Sequence, residues 1–178
     1  MNWIGRAVVR QTERQMGTRL DELRSVAEAS TAALAKLGLF RPLSLHRSRA
    51  ARVPWHLARI AAVREQDCGT CVQIAVNAAR ADNVPSATLR AALADDTAAL
   101  TADERLAFDY GRAVAARAPE VDALVEAVRA RWDETVLTEL ALAVATVQVF
   151  PVLKRGLGQA TACSLVPIDV DGRGSLAP

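Results

Sequence analysis

Residues 64–79 read REQDCGTCVQIAVNAA and place two cysteines directly before a run with helical periodicity. The apolar positions of that run recur at three- and four-residue spacing: Val72, Val76 and Ala79. This spacing predicts a helix, and Asn83 with Pro85 predicts its end. Because aspartate is a favoured N-cap residue, we expect Asp67 to cap the helix and Cys68 to lie in its first turn.

The composition predicts an all-α fold. The chain has 178 residues, of which 51% are hydrophobic and only 4% aromatic, so its core must consist mostly of Ala, Leu and Val. These side chains favour close packing of helices, and alanine has the highest helix propensity. We expect one domain of about seven to eight helices over residues 21–166. An amphipathic basic arm should precede it at residues 1–20, and a flexible tail should follow at residues 167–178.

The N-terminal region is predicted to be helical in two parts. In the arm, a thin stripe of apolar residues alternates with arginines, and we expect it to pack on a neighbouring subunit rather than on an anionic membrane surface. A second stripe predicts a helix from Asp21 to Leu37. Gly38 should end that helix as a left-handed cap.

Local capping signals predict helix starts in the second half of the chain. Thr101 and Glu104 form a capping-box pattern. Asp133 is a good N-cap for an almost uniformly apolar segment, which we expect to be the central buried helix. Pro151 should kink that helix or begin a new turn, because proline lacks a backbone donor.

The charge pattern excludes some classes of partner. The formal charge of +2 is too small to predict nucleic-acid binding, which needs a concentrated basic face. Four arginines are clustered in sequence, and we interpret them as a solvated or intersubunit salt-bridge face: Arg41, Arg47, Arg49 and Arg52. We expect no membrane span, because no run of about 20 consecutive apolar residues is present. The beginning of the chain does not resemble a secretory leader, so we expect a cytoplasmic protein.

The cysteine pair is the candidate site of chemistry. Cys68 and Cys71 are three residues apart, so on a helix they lie on one side, close enough to form a disulfide. A helix N-terminus should lower at least one thiol pKa. The spacing fits a redox dithiol, half of a zinc site, or an inert structural pair. Zinc would need ligands from His46, His56 and Cys163, which show no recognisable spacing, so we expect no metal and no cofactor.

Four motifs carry a resemblance to a known family: E-x-D-C-G-x-C-V-Q at 65–73, Asn83-Val84-Pro85, L-T-x-x-E-R from Leu100, and Glu139-Leu140-Ala141-Leu142-Ala143. Over roughly residues 50–160 the chain resembles the carboxymuconolactone decarboxylase and alkylhydroperoxidase D superfamily. The resemblance implies an all-helical homo-oligomer, as a dimer, trimer or hexamer. It also implies peroxide reduction through the thiol pair, which a dithiol electron donor protein then recharges. Cys71 would meet the peroxide, and Cys68 would be the more exposed partner.

The chain departs from the family at the proton relay. The family's peroxidase branch has a histidine four residues after the second cysteine, where this chain has Ala75. The family's upstream glutamate falls at His56. Two substitutes are available: Glu65, if burial raises its pKa, and His56 on the preceding helix. The predicted catalytic residues are therefore Cys68, Cys71, Glu65 and His56.

Two other functions stay open. Without the relay histidine the chain could be an oligomeric scaffold or oxidant sensor that forms a disulfide without turnover. It could also act on a small acid in the manner of the decarboxylase, with Arg47, Arg49 and Arg52 holding carboxylates. The cysteine pair argues against this second function, because the decarboxylase branch lacks it.

Overall fold

The computed structural model describes residues 3–159 and 168–172, apart from the side chains of Ile4 and Arg41. These residues form α-helices and no strand. The helices are α1 (Trp3–Met16), α2 (Asp21–Ala29), α3 (Thr31–Gly38), α4 (Phe40–Ser44), α5 (Arg52–Arg64), α6 (Gly69–Ala81), α7 (Ser86–Leu93), α8 (Ala102–Ala116), α9 (Val121–Arg131), α10 (Glu134–Val147) and α11 (Val149–Gly156). A short 3-10 turn, Thr97–Ala99, lies between α7 and α8. The all-α class is confirmed, with more and shorter helices than the expected seven to eight.

Helix α5 is at the centre of the fold. It packs most extensively against α8 and also contacts α10, α6 and α7, and every residue from Pro54 to Val63 is buried. Where α5 meets α8, a Cβ atom added at Gly111 would lie 2.2 Å from the carbonyl oxygen of Ala58. The two backbones therefore approach closely because both helices carry small residues at the contact.

Several predicted helix ends are confirmed. The capping box is present, with the Glu104 N–H donating to Thr101 Oγ1 at 3.3 Å and the Thr101 N–H donating to Glu104 Oε2 at 2.8 Å. Asp133 caps α10 by accepting from the Val136 N–H at 2.9 Å. Pro151 lies in the first turn of α11, where its missing N–H costs no helical hydrogen bond.

The predicted helix from Asp21 to Leu37 is wrong in one respect, because it is two helices. Ser30 is extended (φ −159°, ψ 112°), and its Oγ accepts from the Ala33 N–H at 3.1 Å. The serine therefore caps α3 instead of continuing α2. The predicted left-handed cap is also wrong, because Gly38 is the last residue of α3 and is not among the positive-φ residues.

Helix α1, in the region predicted as an N-terminal arm, packs against neighbouring helices. Val9 is buried and belongs to an apolar cluster with residues of α2 and α3, against which Ile74 of α6 also packs. Glu13 accepts two hydrogen bonds from the Arg24 guanidinium, at 2.6 and 2.8 Å. Helix α1 also carries the exposed side chain of Trp3. Contact of this exposed side of α1 with a neighbouring subunit stays a prediction.

Residues 168–172 are attached to the helices. The Asp169 N–H donates to Gln73 Oε1 at 2.6 Å, and Gln73 Nε2 donates to the Asp169 carbonyl at 2.9 Å. Arg90 and Asp171 form an ion pair at 2.8 Å. These contacts join residues 168–172 to α6 and α7. The flexible tail over residues 167–178 stays a prediction, and its part after Gly172 lies outside the described residues.

A buried carboxylate fixes the loop that leads into α5. Glu139 of α10 is 1% exposed and accepts from four donors: Ser48 N–H (2.8 Å), Ser48 Oγ (2.5 Å), Arg49 N–H (3.1 Å) and Ala50 N–H (2.6 Å). Burial raises the pKa of Glu139, but these hydrogen bonds outweigh that effect and bring its pKa to about 2. The carboxylate therefore stays ionised and holds residues 48–50 on α10.

One segment, Glu134–Gly156, is long and apolar enough to cross a membrane by length and composition alone. It consists of α10 and α11, which are interrupted at Gln148. About 44% of its most apolar window is buried inside the fold, and two of its four charged side chains, Glu139 and Lys154, are buried as well. These features are typical of a core segment, which is consistent with the expectation of no membrane span.

Candidate functional site

The two cysteines lie at the start of α6. Helix α6 begins at Gly69, and Cys68 itself occupies the N-cap position. Asp67 has a left-handed backbone (φ 50°) and belongs to the turn from α5, so the prediction that it caps the helix is wrong. The residue that turns the chain cannot also have the extended conformation of an N-cap.

Both thiols are buried. Cys68 is 4% exposed and Cys71 is 7% exposed, so burial alone does not distinguish the two thiols as the family resemblance implies. The thiols form a hydrogen bond with each other. This bond and burial raise the pKa of Cys71, which is opposite to the lowering expected from the helix N-terminus.

A buried ion pair flanks the thiols. Glu22 of α2 and Lys154 of α11 are 2% and 5% exposed, and Lys154 Nζ lies 3.6 Å from Glu22 Oε2. Burial raises the pKa of Glu22. Both groups act electrostatically on Cys71, since Lys154 lowers its pKa and Glu22 raises it.

Sequence reasoning missed this pair. Glu22 and Lys154 are 132 positions apart in the chain, and no local pattern links them. The available signal was a lysine, Lys154, directly after the apolar run Phe150–Leu153. A lysine in such a position is almost never buried without a partner.

Cys71 opens on a cavity of about 830 Å³, here called the apolar cavity. Its wall is formed by side chains of the N-terminal helices, of α6 and of the α10–α11 junction, among them Leu20, Leu23, Leu34, Phe40, Ile74 and Phe150. Its polar lining includes Glu22 and Arg59. Ala75, at the family's relay position, is part of the lining, so the small side chain leaves room where a histidine would project.

Cys68 lines a different hollow of about 850 Å³, here called the Cys68 cleft. The cleft is more open than the apolar cavity, and Arg64, Arg90, Ile168 and Val170 contribute to its lining. The thiol pair therefore lies between two hollows, with one sulfur-bearing residue on each.

His56 is not at the thiols. Its Nε2 lies 3.1 Å from Asp82 Oδ2 at the far end of α6, and Asp82 follows Cys71 by eleven residues, about 16 Å along the helix axis. Its ring packs edge-on against Trp55 with centroids 4.9 Å apart. Burial lowers the pKa of His56 to about 4, although its bond to Asp82 acts in the opposite direction. The imidazole is therefore neutral and linked to Asp82 at neutral pH.

Glu65 is not buried, although its predicted role depended on burial. It is the C-cap residue of α5, and its side chain is exposed. The neighbouring Gln66 points inward instead, donating from Nε2 to Gln148 Oε1 at 2.8 Å. Neither Glu65 nor His56 therefore has the environment expected of a proton carrier for the thiols.

The arginine cluster is largely held in ion pairs. Arg47 Nη2 lies 2.9 Å from Asp82 Oδ2, and Arg49 Nη2 lies 3.0 Å from Asp133 Oδ2. Arg52 is exposed, and the side chain of Arg41 lies outside the described residues. These pairs agree with the interpretation of the cluster as a salt-bridge face.

The described residues contain no group of three or more side chains that could hold a metal ion. Cys163, which was one possible zinc ligand, lies outside the described residues. Neither thiol has a histidine or carboxylate arranged with it as a ligand set among the described residues. The structure therefore gives no support to a zinc site at the thiol pair.

No protein-family model matches this chain. Comparisons with curated proteins and with solved structures also give no significant match. The resemblance to the alkylhydroperoxidase D superfamily therefore rests on the quoted sequence motifs alone.

Proposed function

We propose that the protein is a thiol–disulfide oxidoreductase that reduces peroxides through Cys68 and Cys71. The observation that carries the proposal is the buried, mutually hydrogen-bonded thiol pair with each cysteine lining a separate hollow. The apolar cavity would admit an organic peroxide to Cys71. The Cys68 cleft would receive a dithiol donor.

In the first step the Cys71 thiolate attacks one peroxide oxygen. An S–O bond forms and the O–O bond breaks, which leaves a sulfenic acid on Cys71 and an alkoxide that takes up a proton to become an alcohol. The reaction needs a group that accepts the thiol proton and returns it to the alkoxide. Glu22 fits this role, because its raised pKa brings it closer to neutral pH than an ordinary carboxyl.

In the second step the Cys68 thiolate attacks the sulfur of the Cys71 sulfenic acid. The S–S bond forms, and the departing hydroxide takes a proton to become water. A dithiol donor then reduces the disulfide by exchange and is itself oxidised. The cycle consumes one peroxide and one dithiol, and yields one alcohol, one water and one donor disulfide.

Steady-state consumption of cumene hydroperoxide, with dihydrolipoamide as donor, tests the proposal. We expect wild-type turnover and its loss in both Cys71→Ser and Cys68→Ser, since either substitution prevents disulfide formation. Peroxide consumption that is unchanged in Cys71→Ser contradicts the proposal. The Ser86→Ala variant, at a half-buried position that lines neither hollow, provides the control.

The proton step has its own test in Glu22→Gln, with Glu28→Gln on the exposed face of the same helix as the matched control. We expect Glu22→Gln to slow peroxide reduction by about 100-fold, the usual effect of losing a general acid–base group. If Glu22 acts only through its charge, the substitution lowers the pKa of Cys71 and accelerates the reaction instead. Glu22→Gln combined with Lys154→Met removes both charges of the buried pair and keeps the comparison valid if the single variant is unstable.

A second candidate function is an oxidant sensor or oligomeric scaffold that forms the disulfide without turnover. The observations that favour it are the raised pKa of Cys71 and the alanine at the relay position. A thiol with a raised pKa forms little thiolate at neutral pH and reacts slowly. A disulfide that forms once, with no sustained peroxide consumption in the presence of dihydrolipoamide, would favour this function. The homo-oligomeric state and cytoplasmic location stay predictions under either function.

Decarboxylase-like action on a small acid is the least supported of the three candidate functions. It depended on the arginine cluster holding substrate carboxylates, but Arg47 and Arg49 are already paired with Asp82 and Asp133. A panel of lactone substrates that gives no turnover excludes it.

A further inference from the structure

Arg59 carries a buried charge that the described part of the chain does not neutralise. It is 9% exposed, and its Nε and Nη1 atoms are fully buried with no hydrogen-bond partner among the described residues. The guanidinium stacks on the Trp55 ring at 4.4 Å, and the Trp55 Nε1 is also buried without a partner in that part of the chain. A buried guanidinium in this state is unfavourable unless an anion or polar ligand meets its donors.

The guanidinium stays charged at neutral pH. Burial lowers the pKa of Arg59 to about 10, which still leaves it protonated. The stack on Trp55 compensates part of the lost hydration, but a ring face accepts none of the N–H bonds. The unmet donors therefore define a site for an acceptor with negative charge.

Arg59 and Cys71 lie on the same cavity. Both line the apolar cavity, whose lining also includes Ala75 and Ala78 of α6. Helices α5 and α6 run antiparallel, since His56 meets Asp82 while the last turn of α5 packs near the cysteines. Arg59 is one turn closer to the thiols than His56, which places it about two turns of α6, or roughly 10 Å, from Cys71.

The charges around the cavity favour a ligand with a single negative charge. Glu22 is paired with Lys154, and Asp82 is paired with Arg47 and hydrogen-bonded to His56. Arg14 is exposed, which leaves Arg59 as the buried, uncompensated charge of the described lining. A dianion would bring an excess negative charge into this apolar space, whereas a carboxylate matches the single charge and the planar fork of an arginine.

The size and lining of the cavity select the rest of the ligand. A volume of about 830 Å³ falls within the range of small-molecule sites. The apolar side chains that dominate the lining favour a flexible apolar chain over a polar body. Arg59, Ala75 and Cys71 line this same cavity, so an apolar chain anchored at Arg59 shares its space with the Cys71 thiol.

We propose that Arg59 is the anion anchor of the apolar cavity, and that the cavity binds a carboxylate with an apolar chain, so that the peroxide substrate is a carboxylate-bearing organic hydroperoxide. The substrate assignment rests on the proposed function. The carboxylate site itself rests only on Arg59 and the cavity.

The test is isothermal titration calorimetry with octanoate and octan-1-ol, two probes that share the chain and differ in the anionic head. We expect wild-type protein to bind octanoate at least tenfold more tightly than octan-1-ol, because a charge-assisted hydrogen bond contributes roughly that factor. Equal affinity for both probes, or no binding of octanoate, overturns the proposal. This comparison needs no variant, so it does not depend on how Arg59 affects folding.

Variants then assign the site. Arg59→Met should weaken the binding of octanoate by about tenfold or more and leave the binding of octan-1-ol unchanged. Arg59→Lys keeps the charge but loses the planar guanidinium, so its affinity for octanoate should be intermediate. Arg112→Met is the matched control, since Arg112 also stacks on an aromatic ring, Phe108 at 5.6 Å, but is not part of the cavity lining. Octanoate affinity that is unchanged in both Arg59 variants contradicts the proposal.

The two proposals fail in distinguishable ways. Octanoate binding without peroxide turnover removes the redox function and leaves the carboxylate site. Peroxide turnover without octanoate binding removes the site and leaves the redox function. Within the peroxidase assay, a lower KM for a carboxylate-bearing hydroperoxide than for cumene hydroperoxide, lost in Arg59→Met, supports both.

Discussion

Glu139→Gln should destabilise the protein by about 3 kcal/mol. The carboxylate pKa of about 2, against 4.5 for an ordinary glutamate, corresponds to about 3 kcal/mol of stabilisation of the ionised form. Glutamine is neutral like the protonated acid, and its NH₂ group would face the backbone donors of residues 48–50. Since the whole fold of a typical domain is stable by about 5–15 kcal/mol, the loss is large.

The assay is urea unfolding followed by far-ultraviolet circular dichroism, with Glu134→Gln as the control. Glu134 lies on the same helix, but its side chain is exposed, so its loss should change the free energy of unfolding by less than about 0.5 kcal/mol. A loss below 1 kcal/mol in Glu139→Gln refutes the role assigned to the carboxylate.

The Glu139 carboxylate also predicts how the free energy of unfolding depends on pH. Because the folded-state pKa is depressed, its stabilisation is complete above pH 4.5 and disappears as the pH falls towards 2. The difference in unfolding free energy between wild type and Glu139→Gln should therefore shrink over that interval. A difference that stays constant from pH 6 to pH 3 contradicts the assignment.

Two further substitutions probe the packing and the thiol environment. Gly111→Ala should cost about 1–3 kcal/mol, because the added methyl group meets the backbone of α5. Gly156→Ala, where nothing lies within 4 Å of the added carbon, should be neutral, and equal thermal midpoints for the two variants would disprove the close approach. Lys154→Met should shift the pH profile of thiol oxidation to higher pH, because Lys154 lowers the pKa of Cys71. The exposed Lys36→Met should leave that profile in place, and a Lys154→Met profile identical to wild type contradicts the electrostatic role.

The local part of this fold could be predicted from the sequence. The Thr101–Glu104 capping box and the Asp133 cap are determined by residues within three or four positions of each other. A small-residue, low-aromatic composition was sufficient for the all-α class. The break at Ser30 was missed because the stripe predicted from Asp21 to Leu37 spans this position, whereas the Ser30 side chain caps α3 by accepting from the Ala33 N–H.

The long-range part could not be predicted. Glu139 bonds to residues about 90 positions away, and the Glu22–Lys154 pair joins both ends of the described helices. Both depend on tertiary packing, which has no local signal. The surroundings of the predicted proton carriers also depend on tertiary packing, since the Glu65 side chain is exposed and His56 is hydrogen-bonded to Asp82.

Arg59 is an intermediate case. It is a charged residue within α5, where all residues from Pro54 to Val63 are buried. Charged residues in such runs are rarely buried without a partner. The sequence could therefore have indicated an unusual arginine. Its cavity, formed largely by residues before position 50 and by α6, could not have been predicted without the fold.

The most direct test of the redox proposal is a thiol count before and after one equivalent of cumene hydroperoxide, with mass spectrometry to locate any new bond. We expect the loss of two thiols and a disulfide between Cys68 and Cys71, restored by dihydrolipoamide, and no such bond in Cys71→Ser. Two thiols that remain unmodified after oxidation, or a bond that excludes Cys71, would contradict the proposal.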